Sequence, residues 1–351
     1  MMSSSGEKYN LFFEEHLGRE NEEQCPVISR ITKDLTSKRI KEKIGEVQSV
    51  SLPEEIKRWV ERYEEVGRRK DFIWKWTYLK AEELTLTSVP ENRRKEILVP
   101  KVLTIIINAL IDDIADEKKD RGLLLDSMKI FFFSFSDEFL ERTYAPEDKD
   151  YLHLIEEIKN AFFDKIKRYP GYRDFEELLF YDYRQFYNAA LYGHLINEKK
   201  DVINLPEYKI YLSNNMQMMV LSTIDLMASS EIKREEIHKI REIFWKAQRM
   251  GRIGNSITTF KREIEEDDFT SEVFARMISR GVINADILDR KNHDYLLFKI
   301  NEEGLIRERL LEGEENYHSI EKEEVNSFSI EKILRGLENL IEGHIISEGL
   351  K

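Results

Sequence analysis

The most apolar run of the chain, Val99 to Ile111, ends in Asp112-Asp113-Ile114-Ala115-Asp116. At helical spacing Asp112 and Asp116 lie on one face a turn apart, with Asp113 beside them. Clustered carboxylates repel unless cations join them, and hard oxygen ligands suit magnesium, with manganese as a substitute. A plainer reading is a solvated acidic helix end. The sequence holds 68 acidic residues, and Glu117 and Asp120 follow directly. Acids at a helix C-terminus also oppose the dipole.

A second pattern lies far downstream, in Gly254-Asn255-Ser256-Ile257-Thr258-Thr259-Phe260-Lys261-Arg262-Glu263. Asn255, Thr259 and Glu263 stand at i, i+4 and i+8, so one helix face carries amide, hydroxyl and carboxylate oxygens. That is an all-oxygen ligand set for a hard cation. Arg262 and Lys261 are within reach of a phosphate beside such an ion. Here too a plain reading exists: Asn255 as an N-cap after Gly254, and Glu263 in a surface pair.

Together the two patterns are more specific than either alone. A DDxxD string closing an apolar helix, followed far downstream by NxxxTxxxE, resembles the class I terpene synthase family. That family's second motif reads N-D-x-x-S/T-x-x-(K/R)-E. Asn255, Thr259, Arg262 and Glu263 match it, with Ser256 where the common Asp stands. The resemblance covers roughly residues 50 to 350. It implies an all-α bundle of the class I isoprenoid synthase type whose motifs face each other and hold three magnesium ions. Asp112 and Asp116 would bind two, with Asp113 as an alternate or supporting ligand. Asn255, Thr259 and Glu263 would bind the third, and Arg262 would hydrogen-bond the diphosphate. The implied substrate is a linear prenyl diphosphate, farnesyl or geranylgeranyl, whose cation cyclises in an apolar cavity.

Many members carry an arginine upstream of the second motif, at an offset where this chain has Lys209; Asn214-Asn215 then mark a helix break. Many also end in an Arg-Tyr pair, where this chain has Arg335-Gly336. Arg249 and Arg252 are further basic groups for the diphosphate. Trans-prenyl diphosphate synthases share the fold but repeat DDxxD, so NxxxTxxxE favours a cyclase. A chain elongase and a catalytically silent helical binding protein are the alternatives. Phe72, Trp76, Phe180, Tyr183, Phe186, Tyr187 and Phe244 are aromatic candidates for the cavity wall, though an aromatic on a helix is more often core than cavity wall.

The elements that must position these residues are helices. With 15 Gly, 7 Pro and 35% charged residues in 351, the composition favours helix and a sizeable core. The net charge of -13 argues against a nucleic-acid partner. Cys25 is the lone cysteine, which fits a reducing cytoplasm. The opening residues lack a basic segment followed by a long apolar run, so no signal peptide is read there. Val99 to Ile111 is too short to span a bilayer. The protein expected is cytoplasmic, without a membrane span, and compatible with a homodimer.

Residues 1–40 are expected to be irregular, with Pro26 breaking any early helix, and residues 41–351 to form one α-helical catalytic domain. Helices are expected from Pro53, over Lys70 to Leu84, and over Arg93 to Asp120. Others follow over Gly122 to Tyr144, Asp148 to Arg168, Phe175 to Asn197 and Pro206 to Ser229. The pattern then gives Lys233 to Met250, Asn255 to Glu266, Thr270 to Arg280 and Ile330 to Ser347. The glycines of Gly251 to Gly254 are read as a break, and Glu302 to Ser327 as a loop or short helices.

Overall fold

The computed structural model describes residues 24–33, 35–132 and 143–350. Among the described residues the chain is helix and loop, without strands. The helices are α1 (Pro26–Lys33), α2 (Ser37–Gln48), α3 (Glu54–Glu64), α4 (Asp71–Glu83) and α5 (Leu98–Asp113). They continue with α6 (Arg121–Phe132), α7 (Pro146–Ile166), α8 (Tyr172–Glu198), α9 (Leu205–Tyr211) and α10 (Met218–Ala228). The last are α11 (Ile237–Glu265), α12 (Glu272–Ser279), α13 (His293–Glu302), α14 (Leu305–Glu321) and α15 (Ile330–Ile346).

α5 lies in the middle of the bundle because it is apolar on every side. It packs against α3, α4 and α7, and nearly all its residues are buried. Lys101, which interrupts the apolar run, is only 1% exposed and meets Asp225 of α10 at 2.6 Å. Its ammonium also donates to Thr85 Oγ1 at 2.8 Å, and Asp225 Oδ2 accepts from the Leu86 backbone at 3.1 Å. Burial pushes the lysine pKa down and the aspartate pKa up, while each charge holds the other ionised. Removing one partner would strand a charge, so the pair fixes α5 against α10.

α11 runs unbroken through Gly251 and Gly254, where a break was expected. A Cβ at Gly254 would lie 2.9 Å from His344 Cδ2 and 3.0 Å from Ile341 Cδ1 of α15. A Cβ at Gly251 would lie 3.2 Å from Met216 Cε. These glycines allow close approach of neighbouring elements; they do not end the helix.

The stretch expected as one helix from Pro206 to Ser229 is broken, at the Asn214-Asn215 position expected. α9 passes into a 3-10 turn over Leu212–Met216, and Gln217 takes a left-handed φ of 53° before α10 begins. Amides from neighbouring helices satisfy the backbone groups freed there. Asn108 Nδ2 donates to the Asn215 carbonyl at 3.1 Å, and the Met219 amide donates to Gln248 Oε1 at 3.3 Å.

Two other expectations fail. Pro26 starts α1, occupying a first-turn position that needs no N–H donor. Residues 305–321, expected as a loop or short helices, form one long helix, α14, whose buried face packs on α11. Its abundance of Glu hid that face. Of the irregular segment expected over residues 1–40, residues 1–23 lie outside the described residues and the described part forms α1 and the start of α2; residues 133–142 of the helix expected to reach Tyr144 also lie outside the described residues.

Candidate active site

α5 carries Asp112 to one end of the bundle, and a π turn over Ile114–Lys118 continues it to Asp116. Arg69, in the loop between α3 and α4, places Nη2 3.3 Å from Asp112 Oδ2. The Tyr63 hydroxyl donates to Asp113 Oδ2 at 2.6 Å, so Asp113 faces α3 and is buried. Asp116 is exposed at the rim.

Across a polar mouth of about 590 Å³ lies the far end of α11. Thr259 Oγ1 is 2.9 Å from the Asn255 carbonyl and 2.6 Å from Glu263 Oε1. Glu263 is 4% exposed, and its other oxygen, Oε2, has no partner. Ser256, at the family's Asp position, is fully buried and returns its hydroxyl to the Ile253 carbonyl at 3.1 Å. An aspartate there would face the core rather than the mouth.

Three residues that the motifs did not assign to the site complete it. Arg252, one turn before Asn255, donates from Nε to the Tyr208 hydroxyl at 3.1 Å and from Nη1 to Asn255 Oδ1 at 3.0 Å; Nη2 donates to the Thr270 carbonyl. The sequence offered it only as a further basic group. Arg69 carried no signal, because its partner is remote in the chain. Asp268 follows α11 through a left-handed Asp267 with φ 56°. The Asp268 amide donates to the Glu263 carbonyl at 2.8 Å, and the Asp267 amide to Ile264 at 3.2 Å. This paired closure ends a helix and turns the chain back. The Asp268 carboxylate then accepts from Asn197 Nδ2 at 2.9 Å, the Thr270 amide at 3.0 Å and Thr270 Oγ1 at 3.0 Å. It lines the same mouth as Asp112, Asp113 and Asp116.

Crowding these carboxylates has an electrostatic cost. Burial pushes Asp112 up to about 6, against the pull of Arg69. Burial and then the negative charge of Asp268 push Glu263 up to about 7, against the pull of Arg252. Asp116 is raised well above the carboxylate range by desolvation and then by Asp268 and Asp112. Its exposure at the rim gives the like charges the greater weight. Although burial alone would lower it, Tyr208 and Glu263 hold Arg252 protonated.

The donor set is all oxygen, and the orphaned Glu263 Oε2 lacks the partner that a hard cation would supply. Among the described residues no three His, Cys, Asp or Glu side chains are gathered closely enough to hold an ion by themselves. The residues therefore suit ions held between the two sides of the mouth by a further oxygen-rich ligand.

Behind the mouth is an apolar cavity of about 190 Å³, walled by Trp76, Ile105, Ala109, Met218, Leu221 and Leu340. Arg69, Ile73, Asp112 and Arg262 line both spaces, so the cavity opens into the mouth. Trp76 is the one aromatic candidate from the sequence that lines it. Phe180, Tyr183 and Tyr187 instead pack with Phe131, Phe186 packs on Tyr187, and Phe244 packs near Phe328.

Two basic residues fall elsewhere. Lys209 lines neither space; its charge acts on Glu312, within the network of Arg249, Arg276 and Arg309. Its neighbour Tyr208 is the α9 residue that reaches Arg252, and adjacent helix positions point about 100° apart. Lys261 is half exposed and lies 4.0 Å from Glu348, off the mouth-facing side of α11.

No protein-family model matches the sequence, and no curated protein matches it significantly. Solved structures do match, two of them of one enzyme. One is isoprene synthase from grey poplar leaves (Populus x canescens), with TM-score 0.53 and 16% identity, covering 83% of this chain and 51% of that one. The other is the same enzyme in complex with three Mg2+ ions and dimethylallyl-S-thiolodiphosphate, with TM-score 0.55 and 15% identity, covering 84% and 53%. The fold is the all-α terpene synthase fold. This chain spans about half the length of the isoprene synthase chains it matches. Within that fold, no helix among the described residues is long and apolar enough to cross a membrane.

Proposed function

We propose that this chain is a class I terpene synthase that ionises a linear prenyl diphosphate, farnesyl or geranylgeranyl, and cyclises the resulting cation with release of diphosphate. One observation carries the reading. Asp112, Asp113 and Asp116 line the polar mouth, Asn255 and Thr259 line the apolar cavity behind it, and Asp112 and Arg262 line both, so one continuous space runs between the two oxygen-donor motifs. The likeness to a solved isoprene synthase bound to Mg2+ and a diphosphate analogue supports it.

Magnesium, when bound, supplies the charge neutralisation that lets diphosphate leave. Asp112 and Asp116 would hold it on one side, and Asn255, Thr259 and Glu263 on the other. Asp113, tied to Tyr63, fixes the turn that presents Asp112. Arg262, at the junction of mouth and cavity, takes the diphosphate with bidentate donors. Arg69 and Arg252 add fixed positive charge at the cavity mouth and cost no reorganisation during the reaction. The apolar walls exclude the water that would quench the cation early, and the face of Trp76 stabilises positive charge passing over it.

The test is incubation with linear ten-, fifteen- and twenty-carbon prenyl diphosphates and magnesium. Pyrophosphate release and mass spectrometry of the organic extract are the readouts. A cyclic hydrocarbon or alcohol from an allylic diphosphate alone is the expected result. Product only when isopentenyl diphosphate is added would mark an elongase, and no turnover or pyrophosphate binding would mark a silent binding protein.

A further inference from the structure

α15 places His344, 2% exposed, in the wall of the apolar cavity. Its ring meets the Trp76 ring edge to face, with centroids 5.2 Å apart and planes at 65°. Two glycines make room for this pair. A Cβ at Gly254 would lie 2.9 Å from His344 Cδ2, and a Cβ at Gly343 would lie 2.8 Å from Trp76 Nε1. Both glycines stand inside helices, where their freedom weakens the helix, so they accommodate rings rather than turns.

The other charged groups on the cavity wall do not suit proton removal. Lys80, Arg69, Arg252 and Arg262 are cations, and Asp112 stands at the mouth. Imidazole is the side-chain type that offers a lone-pair base at neutral pH. A carbocation in this cavity must end its life by losing a proton or capturing water.

We propose that His344 is the base that ends the reaction, taking a proton from the last carbocation to give an alkene. This rests on the terpene synthase reading. A C–H bond next to the cationic carbon breaks, and its electron pair becomes the new π bond. The proton goes to the lone pair of the neutral imidazole. The imidazolium then gives it to solvent when the cavity opens for product release. Trp76, against the ring, stabilises cationic carbon nearby and fixes the orientation of the imidazole.

The experiment compares wild type, His344→Gln and His344→Ala, each checked by circular dichroism, with the three linear prenyl diphosphates and magnesium. Products are normalised to pyrophosphate released, so loss of turnover does not mask a change in termination. His344→Gln keeps polarity and approximate size without a base. Its share of the wild-type alkene is expected to fall at least fivefold, replaced by alcohols or other alkenes. Added imidazole is expected to restore that alkene in His344→Ala, and pyrazole, of the same shape but far weaker as a base, is not. An unchanged product pattern in His344→Gln, a wild-type product that is wholly alcohol, failure of imidazole, or equal rescue by pyrazole each overturns the role of His344. No pyrophosphate release by wild type from any of the three substrates overturns the terpene synthase reading itself.

Discussion

Arg252 Nη1 donates to Asn255 Oδ1 at 3.0 Å, so a guanidinium one helical turn away already occupies the amide oxygen expected to ligate a cation. The same guanidinium is tied to Tyr208 and Thr270 and is nearly fully buried. Arg252→Ala is therefore expected to leave several buried groups unpaired and to lower stability by about 2–4 kcal/mol. Urea denaturation measures this. Pyrophosphate affinity in magnesium is expected to fall as well, with Arg252→Lys recovering only part of either loss. Wild-type stability in Arg252→Ala would remove it from the framework of the site.

Glu263→Gln is expected to stabilise the metal-free protein while abolishing turnover. Burial, with the negative charge of Asp268, holds the Glu263 carboxyl at about 7, against 4.5 for an ordinary glutamate. The folded state thus keeps a proton that the unfolded state has lost, and stability falls as pH rises through that interval. The full penalty is present above pH 7 and absent below the unfolded value. Gln removes it, a gain of at most about 3 kcal/mol at pH 8 that vanishes near pH 4. Thermal melts in chelator at the two pH values test the sign.

Metal removal is expected to stop turnover, because carboxylates alone cannot hold a diphosphate. Asp112→Ala and Asn255→Ala are expected to reduce turnover by orders of magnitude with helical circular dichroism intact. Asp268→Asn, on a carboxylate the motifs did not reveal, is expected to weaken manganese binding several-fold in an electron paramagnetic resonance titration. Full activity in chelator would rule the metal-dependent mechanism out.

Arg262 and Lys209 are expected to behave differently. Arg262→Ala is expected to weaken magnesium-pyrophosphate binding by about tenfold or more, since charge-assisted bonds to phosphate are lost. Lys209 lies beside Glu312, away from the mouth, so Lys209→Ala is expected to leave that affinity within about twofold. Calorimetric titration of both variants decides; a larger loss at Lys209 would reverse the assignment.

Gly254→Ala is expected to cost about 1–3 kcal/mol by overpacking. The new methyl would meet the His344 ring at 2.9 Å and Ile341 at 3.0 Å. Because His344 lines the cavity, the substitution is also expected to alter the product ratio. Denaturation midpoints and product profiles of the variant measure both.

The all-α class, the buried helix ending at Asp112, and the two oxygen-rich helix faces were legible in the sequence, because each is a local property. Periodicity of 3.6 residues states which side chains share a face. The Asn214-Asn215 break entered only through the family resemblance, because the helical pattern itself ran on from Pro206 to Ser229. α14 was not legible, because its buried face is thin and its surface is crowded with Glu. Gly251 and Gly254 misled, because a glycine that allows close packing and one that ends a helix look alike until the neighbour is known.

What stands opposite a helix face was decided by tertiary structure alone. The sequence aligned Asn255, Thr259 and Glu263, but packing chose Arg252 and Tyr208 to brace them and set Asp268 against Asp116. Basic character at Lys209 and Lys261 was visible, yet the rotation of α9 and α11 turned both away from the mouth. Arg69 meets Asp112 across 43 residues of chain. A helix determines neighbours three and four residues away. Contacts between elements depend on how their apolar faces interlock, and that is a property of the whole core.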